Sequence, residues 1–598
     1  MGNSMIKKNF ILVFLLYASC TLSTSQYDEI ITVATKIPTE DYKIPATIDV
    51  IDQKNIKETQ PTDMLNLLSS SLAIDTSSNG GPGQVGSLFL RGSNSNHVLV
   101  KVNGVKINPS TAGGASIYNL DPNLISKIEI GSGPFSSIHG SEAIGGVINI
   151  STKNNTLLNK IKLGLGIGPD NHVKKYFQAS KRFDETSLDF TILDNSTNGF
   201  PVLSNSSLDR GYENQSIIAG LSHRFKRLNM DISNWSSKGN VEYLVFGNPV
   251  SQDYENKASS ADFEFLLTKN HLIIINLHSS KDLISQNNLN FLGILDFTET
   301  LRNSYEVLIH KSNSKSLSYS AGYSKEHEDV DYSSYGSFFN KKLITNSFFG
   351  TIGWSFNKNY LMLSARQAEH ETYGNQFSWN IGYLKPLNSS WSLNLNTGKA
   401  FRSPNSSELY GFGSNKNLSP EDSKSYEIGL RKRKEDYDLK IVYFNNKSNN
   451  LITFDFLDYV LKNIEESKNK GLELRYKWSK RYLNGSLIIR KQNPIDQNGD
   501  SLLRRSQKSA SLNLNKDISS YMVNFSLSTF SRKKDFSKLK IPGYSRIDLS
   551  VTKKITNKLM IALKIQNLNN KEYFTATSSN GYYLNQDRSI WLKINYEF

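Results

Sequence analysis

The sequence predicts an all-β protein, in which a long series of antiparallel strands forms a transmembrane barrel behind a smaller glycine-rich β-module. The chain begins like a secreted protein, and short segments of alternating polar and apolar residues follow, rich in aromatics with 29 Tyr and 30 Phe. Beyond the N-terminal segment no apolar run approaches the 18 or so residues that a membrane-spanning helix needs. A helical membrane protein is therefore excluded.

Residues 1–25 have the layout of a secretory signal peptide. Lys7 and Lys8 precede the apolar stretch FILVFLLYA, and small residues continue to Ser25. Lipoprotein processing at Cys20 is the alternative, but Tyr17, three residues before it, fits that signal poorly. Because Cys20 is the only cysteine, the folded part has no disulfide, and packing and strand pairing must stabilise it.

The module spans residues 79–150 and contains three strand-like runs, SLFLRG, HVLVKVNGVKI and GGVINIS. Clusters of Asn, Gly, Ser and Pro separate these runs and supply turns. Asn103-Gly104 lies between alternating residues and predicts a two-residue type I′ hairpin turn.

Alternation is clearest at the C-terminus, where one face of a predicted strand carries Ile590, Leu592, Ile594, Tyr596 and Phe598. Such a strand presents one side to lipid and the other to a lumen. Similar patterns recur in WSLNLNTG, SASLNLNK and LMIALKIQNL, although a soluble β-sandwich would alternate in the same way. At roughly 20 residues per strand and connection, the about 440 residues from 158 to 598 permit about 22 strands.

Two segments, QVGSLFLRGSNSNHVLVKVNGVKIN and HGSEAIGGVINI, resemble the plug domain of TonB-dependent outer-membrane receptors, most closely the cobalamin (vitamin B12) receptor branch. FRSPNSSELYGFGSNKNLSPEDSKSYEIGL, KGLELRYKW and IQNLNNKEYF extend the similarity almost to the end. The resemblance implies an α+β plug at 37–157 inside the lumen of a barrel of about 22 antiparallel strands at 158–598. It also implies the bacterial outer membrane as the location.

The segment after the signal peptide resembles a TonB box, with a linker that continues to residue 36. Its residues are Asp28, Glu29, Ile30, Ile31, Thr32, Val33 and Ala34. An exposed, β-branched peptide of this kind can add as a strand to the sheet edge of a partner, which the resemblance identifies as TonB. The alternative is a first strand packed within the plug.

Arg91 follows a predicted strand in LFLRG and would be costly to bury without an anion. In the family, an arginine here and a second one in an RGP motif meet two glutamates on the inner barrel wall. This chain has Gly131-Ser132-Gly133-Pro134 at the second position, so that arginine is missing. The resemblance implies an abbreviated lock in which Arg91 bridges Glu427 and Glu473, and an Arg91 exposed to lumen water is the alternative.

The resemblance maps ligand contacts onto two outward plug loops, 79–87 and 109–116, and onto two barrel loops. Glycine and small polar residues let a backbone approach a large ligand, although simple turns have the same composition. The candidates are Asn79, Gly80, Gly81, Gln84, Ser87, Ser110, Thr111, Ala112, Arg504 and Tyr582. The implied function is TonB-dependent uptake of cobalamin or a related corrinoid, with a ferric siderophore or haem as the alternative ligand.

Acidic residues in the corresponding receptor loops bind calcium, which implies a site at Asp189, Asp209, Glu242 and Asp253. Leu208 and Arg210 flank Asp209 where acids are expected, and a cation there would compete with calcium. A structural calcium is therefore an open expectation, and no cofactor is needed for catalysis.

The net charge of +15 is spread along the barrel and forms no basic helix or aromatic-basic platform, which argues against nucleic-acid binding. Attraction to lipid and anionic lipopolysaccharide explains it better, and we expect a monomer. No enzyme motif is visible: neither His327-Glu328 nor His370-Glu371 completes a zincin motif, and there is no GxxxxGK[ST] phosphate loop. An outer-membrane barrel enzyme is the competing class.

Overall fold

The computed structural model describes residues 29–71, 73–111, 113–153, 159–245, 248–288, 296–311, 316–334, 336–537, 539–579 and 581–598. The predicted signal peptide, Asp28 of the predicted TonB box and Ala112 of the predicted ligand loops lie outside these ranges. In the described part, no helix is both long and apolar enough to cross a membrane.

The N-terminal domain mixes short strands and helices, as the resemblance implied. Its elements are β1 Ile30–Ile31, β2 Thr39–Glu40, β3 Ile48–Asp52, α1 Gln53–Thr59, α2 Met64–Ser69, β4 Ile74–Ser78, β5 Gly86–Leu90, β6 Val98–Val102, β7 Val105–Lys106, β8 Lys127–Ser132, α3 Ser136–His139 and β9 Gly146–Ser151. Asp52 and Asp63 cap α1 and α2 by accepting hydrogen bonds from backbone N–H groups of the first turn, which fixes where these helices begin.

Five of these strands form one mixed sheet in the order β3-β8-β9-β6-β7, in which only β6 and β9 run parallel. β6 and β7 form the predicted hairpin: Val102 pairs with Val105, and both Asn103 (φ 50°) and Gly104 (φ 86°) have the positive φ of a type I′ turn. The apolar residues of the sheet are buried, including Val100, Ile128 and Ile148, in a core that continues onto the barrel wall at residues such as Trp235.

The rest of the described chain forms a closed antiparallel barrel of 22 strands, which confirms the predicted fold class. The strands are β10 Lys160–Ile167, β11 Val173–Phe183, β12 Thr186–Thr197, β13 Tyr212–Arg224, β14 Leu228–Val245, β15 Asn248–Thr268, β16 His271–Asn288, β17 Asp296–Lys311, β18 Leu317–Ser334, β19 Ser337–Phe356, β20 Asn359–His370, β21 Gly374–Pro386, β22 Trp391–Arg402, β23 Glu421–Lys434, β24 Tyr437–Asp455, β25 Val460–Lys480, β26 Leu483–Asp496, β27 Lys508–Ile518, β28 Tyr521–Phe530, β29 Tyr544–Lys554, β30 Leu559–Gln566 and β33 Ser589–Glu597. β33 pairs with both β30 and β10, and this pairing closes the barrel.

Three elements lie in the connections: α4 Ser406–Tyr410, β31 Phe574–Thr577 and β32 Tyr582–Leu584. The connections at one end of the barrel are short turns such as 184–185, 225–227 and 481–482. Those at the other end include long segments such as 198–211, 403–420 and 567–588, and we call this the long-loop end. Transmembrane barrels place their short turns on the periplasmic side and their long loops outside.

The last strand shows how sequence alternation becomes two faces. Ile590 and Leu592 point outward and are exposed, whereas Trp591 and Lys593 between them are buried against the lumen contents. An apolar outer face matches a lipid environment, and the polar inner face provides partners for the N-terminal domain in the lumen.

Candidate functional site

Arg91 joins the N-terminal domain to the barrel wall through two glutamates, as sequence analysis had grouped them. Its Nη1 donates to Glu427 at 2.6 Å, and its Nη2 and Nε donate to the carboxylate of Glu473 at 2.8 to 3.3 Å. The guanidinium also lies 4.7 Å from the ring centroid of Phe444, and the Arg91 side chain is completely buried. Burial alone would lower the pKa of Arg91, but the charges of Glu473 and Glu427 outweigh it and raise that pKa.

The position of the missing second arginine is filled by other groups. Ser132 precedes Gly133-Pro134, and its N–H donates to the carbonyl of Thr47 at 3.1 Å. The hydroxyl of Thr47 in turn donates to Glu427 at 2.6 Å. A neutral hydroxyl thus satisfies the carboxylate oxygen that Arg91 does not reach.

A compensating positive charge comes from the barrel. Arg490 on β26 pairs directly with Glu473 on β25 across the strand register and is almost completely buried. Its Nη2 lies 2.7 Å from the carboxylate of Asp75 in the N-terminal domain. A second buried arginine therefore lies beside the lock on the wall and pairs with Asp75 of the plug, and a motif search in the plug could not find it.

Further buried ion pairs join the domain to the wall, with acids on the plug and bases on the wall. They are Asp41 with Arg431 and Arg433, Asp49 with Arg475, and Asp121 with Lys174. Buried pairs of this kind are costly to break one partner at a time, because the remaining charge stays buried.

The segment predicted to be an exposed TonB box is docked on the plug, which corrects that expectation. Ile31 and Val33 are buried, whereas the side chain of Ile30 is exposed, at 47%. Glu129 on β8 accepts hydrogen bonds from the N–H groups of Thr32 and Val33, both at 2.9 Å. The segment also pairs with β2 through Ile30 and Ile31, so its β-branched composition alone did not show whether it is exposed.

His139 on α3 makes a second contact with the docked segment. Its Nε2 lies 2.7 Å from the carbonyl oxygen of Val33. Burial, together with Lys101 and Lys36, lowers the pKa of His139 well below its usual value, so the ring is neutral and donates from Nε2. Lys36, which follows, forms an ion pair with Glu306 on the wall.

The first predicted ligand loop, 79–87, lies at the long-loop end but is partly covered by a barrel loop. A side chain at Gly80 would collide with Val202 at 2.7 Å, and one at Gly81 would meet Phe200 at 3.0 Å. Gln84 is buried and donates from Nε2 to the carbonyl of Glu242 at 2.7 Å. The glycines thus permit close packing against the loop 198–211 in this state.

Asn79 and Ser87, from the same loop, are half-buried.

The second predicted loop lies beside α4. Ser110 is buried, donates from its hydroxyl to Glu328 and accepts at its carbonyl from the N–H of Ser407 at 3.3 Å. Thr111 is half-buried beside it.

The two arginines of the LLRR segment have different surroundings. Arg504, the predicted ligand contact, is bound by Asp535 at 2.8 Å and lies 5.5 Å from the ring centroid of Phe536. Arg505 is buried and donates to the carbonyls of Gly92 and Ser93 at 3.3 and 3.1 Å. Arg505 therefore clamps the plug next to Arg91, a role that sequence analysis missed.

Tyr582, the last predicted ligand contact, lies on β32 at the long-loop end. Its hydroxyl donates to the carbonyl of Lys540 at 3.3 Å, and its ring stacks on Phe574 with centroids 4.3 Å apart. It joins two barrel loops and is half-buried.

The four carboxylates of the predicted calcium site do not come together. Asp189 lies near the short-turn end of β12, opposite Ser180, whereas Asp209 belongs to the loop that follows the other end of that strand. Eight residues of strand, about 26 Å, separate Asp189 from Thr197 at the end of β12. Within the described ranges no group of three or more His, Cys, Asp or Glu could hold a metal ion, so this donor set does not fit calcium.

Glu242 and Asp253 form local hydrogen bonds instead. Glu242 accepts from the N–H of Gly211 at 3.1 Å, and Asp253 accepts from the amide of Asn240 at 2.6 Å. Asparagine and backbone donors thus take the places in which a cation would be expected.

Two family models together match most of the chain. The model described as "TonB-dependent Receptor Plug Domain" matches residues 40–147, and "TonB dependent receptor-like, beta-barrel" matches residues 162–568. These matches fall inside the predicted domains 37–157 and 158–598.

Curated relatives align over nearly their whole length. The chain is 28% identical over 596 residues to the vitamin B12 transporter BtuB of Vibrio vulnificus strain YJ016, covering 96% of this chain and 95% of that one. It is 24% identical to a vitamin B12 transporter BtuB of Vibrio cholerae, with 92% of each chain covered.

Solved structures share the architecture at lower identity. The siderophore receptor PirA of Acinetobacter baumannii superimposes with a TM-score of 0.78 at 17% identity, covering 92% of this chain and 98% of that one. The FrpB iron transporter of Neisseria meningitidis gives a TM-score of 0.80 at 15% identity, covering 92% and 99%. These similarities support the fold. The family matches show that this chain is a TonB-dependent receptor, a transporter of the outer membrane with a plug in its barrel.

Proposed function

We propose that this receptor takes up cobalamin or a related corrinoid across the outer membrane. The observation that carries this proposal is the end-to-end similarity to proteins named vitamin B12 transporters, at 28% identity over 96% of the chain. The two plug loops, Arg504 and Tyr582 all lie at the long-loop end, where a large ligand fringed with amides would find backbone and side-chain partners. Transport rather than catalysis is the activity we infer.

Coupling to TonB begins with the docked segment 29–34. Because TonB adds a strand to an extended peptide, the segment must first leave Glu129 and His139. A ligand that binds more tightly to the receptor with segment 29–34 released shifts the equilibrium toward that released state. Occupancy of the ligand site at the long-loop end is thereby communicated to the periplasmic side. Deleting residues 28–35 should leave ligand binding intact and abolish uptake. Continued uptake by the deletion variant would contradict this coupling.

A ferric siderophore is the second candidate, because an aromatic and cationic cluster lies at the long-loop end, beside the turn between β18 and β19. Phe339 stacks on Tyr332 with centroids 4.9 Å apart and contacts Tyr410 at 5.7 Å. The ammonium of Lys341 lies 5.1 Å from the ring centroid of Tyr410. Such a surface suits an anionic aromatic ligand. Haem is less favoured, since no histidine is placed as an axial ligand.

The first experiment is calorimetry of the refolded receptor with cyanocobalamin, with and without calcium, beside a panel of ferric siderophores. Tight cyanocobalamin binding that does not depend on calcium supports the proposal and agrees with the separated carboxylates. If protein with an intact barrel spectrum binds a siderophore and not cyanocobalamin, the second candidate becomes the favoured substrate. We further propose a monomer whose apolar outer face contacts lipid and whose basic loops contact lipopolysaccharide.

A further inference from the structure

The positive charge of the barrel is concentrated at the end with the short turns. Over the described residues of these turns, the three strand residues on either side of each, and the adjoining ends of β10 and β33, fifteen exposed side chains are cationic and five are acidic. At the long-loop end, the same selection gives eight exposed cationic and eight exposed acidic side chains. The two ends of the barrel therefore differ in charge, and we call the fifteen cations of the short-turn end the basic rim.

The basic rim encircles the barrel. Each of the nine short turns that the structure describes in full carries at least one of these cations, in the turn itself or at an adjacent strand end. Arg224, Lys226 and Arg227, for example, surround a single turn. Only one member of the rim forms an ion pair with a described residue, namely Lys160 with Glu597 at 3.3 Å. A ring of cations with so few acidic partners suits an anionic partner that surrounds the barrel.

The basic rim lies at the level of lipid headgroups. The ammonium of Lys181 is 5.5 Å from the ring centroid of Phe183, and the guanidinium of Arg481 is 5.4 Å from that of Tyr482. Both rings are exposed, Phe183 at 54% and Tyr482 at 69%. Girdles of aromatic residues mark the membrane–water interfaces of transmembrane barrels, and the short turns face the periplasm. The cations beside these rings therefore face the headgroups of the periplasmic leaflet.

An apolar groove on the outer face of the barrel adjoins the basic rim. It has a volume of about 650 Å³ and lies on β10–β14, toward their short-turn ends. In the strand register, Ala179 and Ala219 lie on either side of Phe190, so two small side chains leave a space beside a large one. Lys160 and Lys181 line the groove at its periplasmic edge. An apolar slot with two ammonium groups at one end matches the acyl chain and the phosphate of a phospholipid.

We propose that the basic rim binds anionic phospholipids of the periplasmic leaflet, and that one of these lipids occupies the groove with its phosphate at Lys160 and Lys181. Clusters of basic residues next to a membrane attract anionic lipids, and lysine buries its methylene stem against apolar surface while the ammonium stays at headgroup level. An acidic protein docked at one side would contact only part of a ring that encircles the barrel. Binding of these lipids is independent of which substrate the receptor transports.

The first measurement compares two lipids around the refolded receptor in phosphatidylcholine vesicles. Spin-labelled phosphatidylglycerol and spin-labelled phosphatidylcholine are added separately, and the motionally restricted fraction of each gives its relative association with the barrel. We expect phosphatidylglycerol to associate about threefold more strongly at about 10 mM salt. The preference should fall below about 1.5-fold at about 1 M salt, where the Debye length is about 3 Å. Equal association at low salt would overturn the proposal and leave an acidic periplasmic partner for the basic rim.

The second measurement locates the lipid in the groove. Native mass spectrometry of the delipidated receptor, titrated with equimolar phosphatidylglycerol and phosphatidylethanolamine, reports the tightly bound lipid. The double variant Lys160→Gln with Lys181→Gln should bind phosphatidylglycerol at least about fivefold more weakly than the parent. Lys416→Gln with Arg532→Gln is the matched control, because it removes two exposed cations from the long-loop end, and its binding should stay within about twofold of the parent. Equal losses in the two double variants would overturn the site in the groove.

A change of shape tests the groove without a change of charge. Ala219→Trp fills the space beside Phe190. Ala365→Trp is the matched control, because Ala365 is also an exposed alanine but lies on β20, away from the groove. We expect Ala219→Trp to lose the bound phosphatidylglycerol and Ala365→Trp to retain it. Retention of the lipid by Ala219→Trp, in protein with an intact barrel spectrum, would contradict a lipid in the groove.

Discussion

Replacing Arg91 with alanine should release one side of the plug. The guanidinium makes four hydrogen bonds to the carboxylates of Glu427 and Glu473, all of 3.3 Å or less. Both carboxylates are at most 5% exposed, so water cannot replace the lost partner without local opening. The Arg91→Ala variant therefore retains two buried acids, with the Thr47 hydroxyl on Glu427 and Arg490 beside Glu473 on the neighbouring strand.

The expected size follows from that burial. Removing one partner of a buried ion pair costs about 3–5 kcal/mol. At 1.36 kcal/mol per factor of ten, the equilibrium for local opening of the plug should rise roughly 150- to 5,000-fold. Arg91→Lys should lie between the parent and Arg91→Ala, because a single ammonium cannot reach both carboxylates in the planar, bidentate way.

Hydrogen exchange of the β4–β5 amides, measured in detergent, reports this opening directly. Lys153→Ala is the matched control, because Lys153 also pairs with the wall, at 2.9 Å from Asp231, but these side chains are 24 and 42% exposed. An exposed pair is worth about 1 kcal/mol or less, so exchange in the control should change by less than about fivefold. If Arg91→Ala exchanged no faster than Lys153→Ala, the reasoning from burial would be refuted.

Three further predictions concern other contacts of the plug. Glu129→Ala removes the acceptor of the Thr32 and Val33 N–H groups. A spin label at residue 30 should therefore become mobile even without ligand. An unchanged spin-label spectrum would show that Glu129 does not hold the segment. Burial raises the pKa of Glu58 to about 7, so its neutral form stabilises the fold below pH 4.5 and this contribution is lost as pH rises through 7. Glu58→Gln should therefore slow exchange of α1 relative to the parent above pH 7 and match it below pH 4.5, and a ratio independent of pH would argue against the shift. Arg505→Ala should speed hydrogen exchange of the Gly92 and Ser93 amides. Arg504→Ala should weaken corrinoid binding and leave hydrogen exchange of these amides unchanged. The reverse pattern would mean that Arg504 holds the plug and Arg505 contacts the ligand.

Periodicity and turn chemistry are local properties, and they were readable from the sequence. The alternation around Ile590 and Leu592 gave the outward face of the last strand, and Asn103-Gly104 gave the hairpin turn. The grouping of Arg91 with Glu427 and Glu473 came from resemblance, because residues more than 300 positions apart share no local pattern. Thr47, whose hydroxyl donates to Glu427, and Arg490, which lies beside Glu473 on the neighbouring strand, had no signal of this kind.

The docked N-terminal segment and the separated carboxylates show what only the tertiary structure decided. Ile31 and Val33 are buried because they pack in a core cluster with residues such as Leu99, which are distant in sequence, and their β-branched side chains alone do not determine this. Asp189 and Asp209 are 20 positions apart, yet a strand carries one to each end of the barrel. Composition and short-range pattern determined that a glycine-rich β-module precedes a long series of alternating strands, whereas the plug and the barrel of about 22 strands were identified by resemblance to a family. Register and closure of the barrel determined which charges meet, because contact between distant residues is set by the position of each strand along the wall.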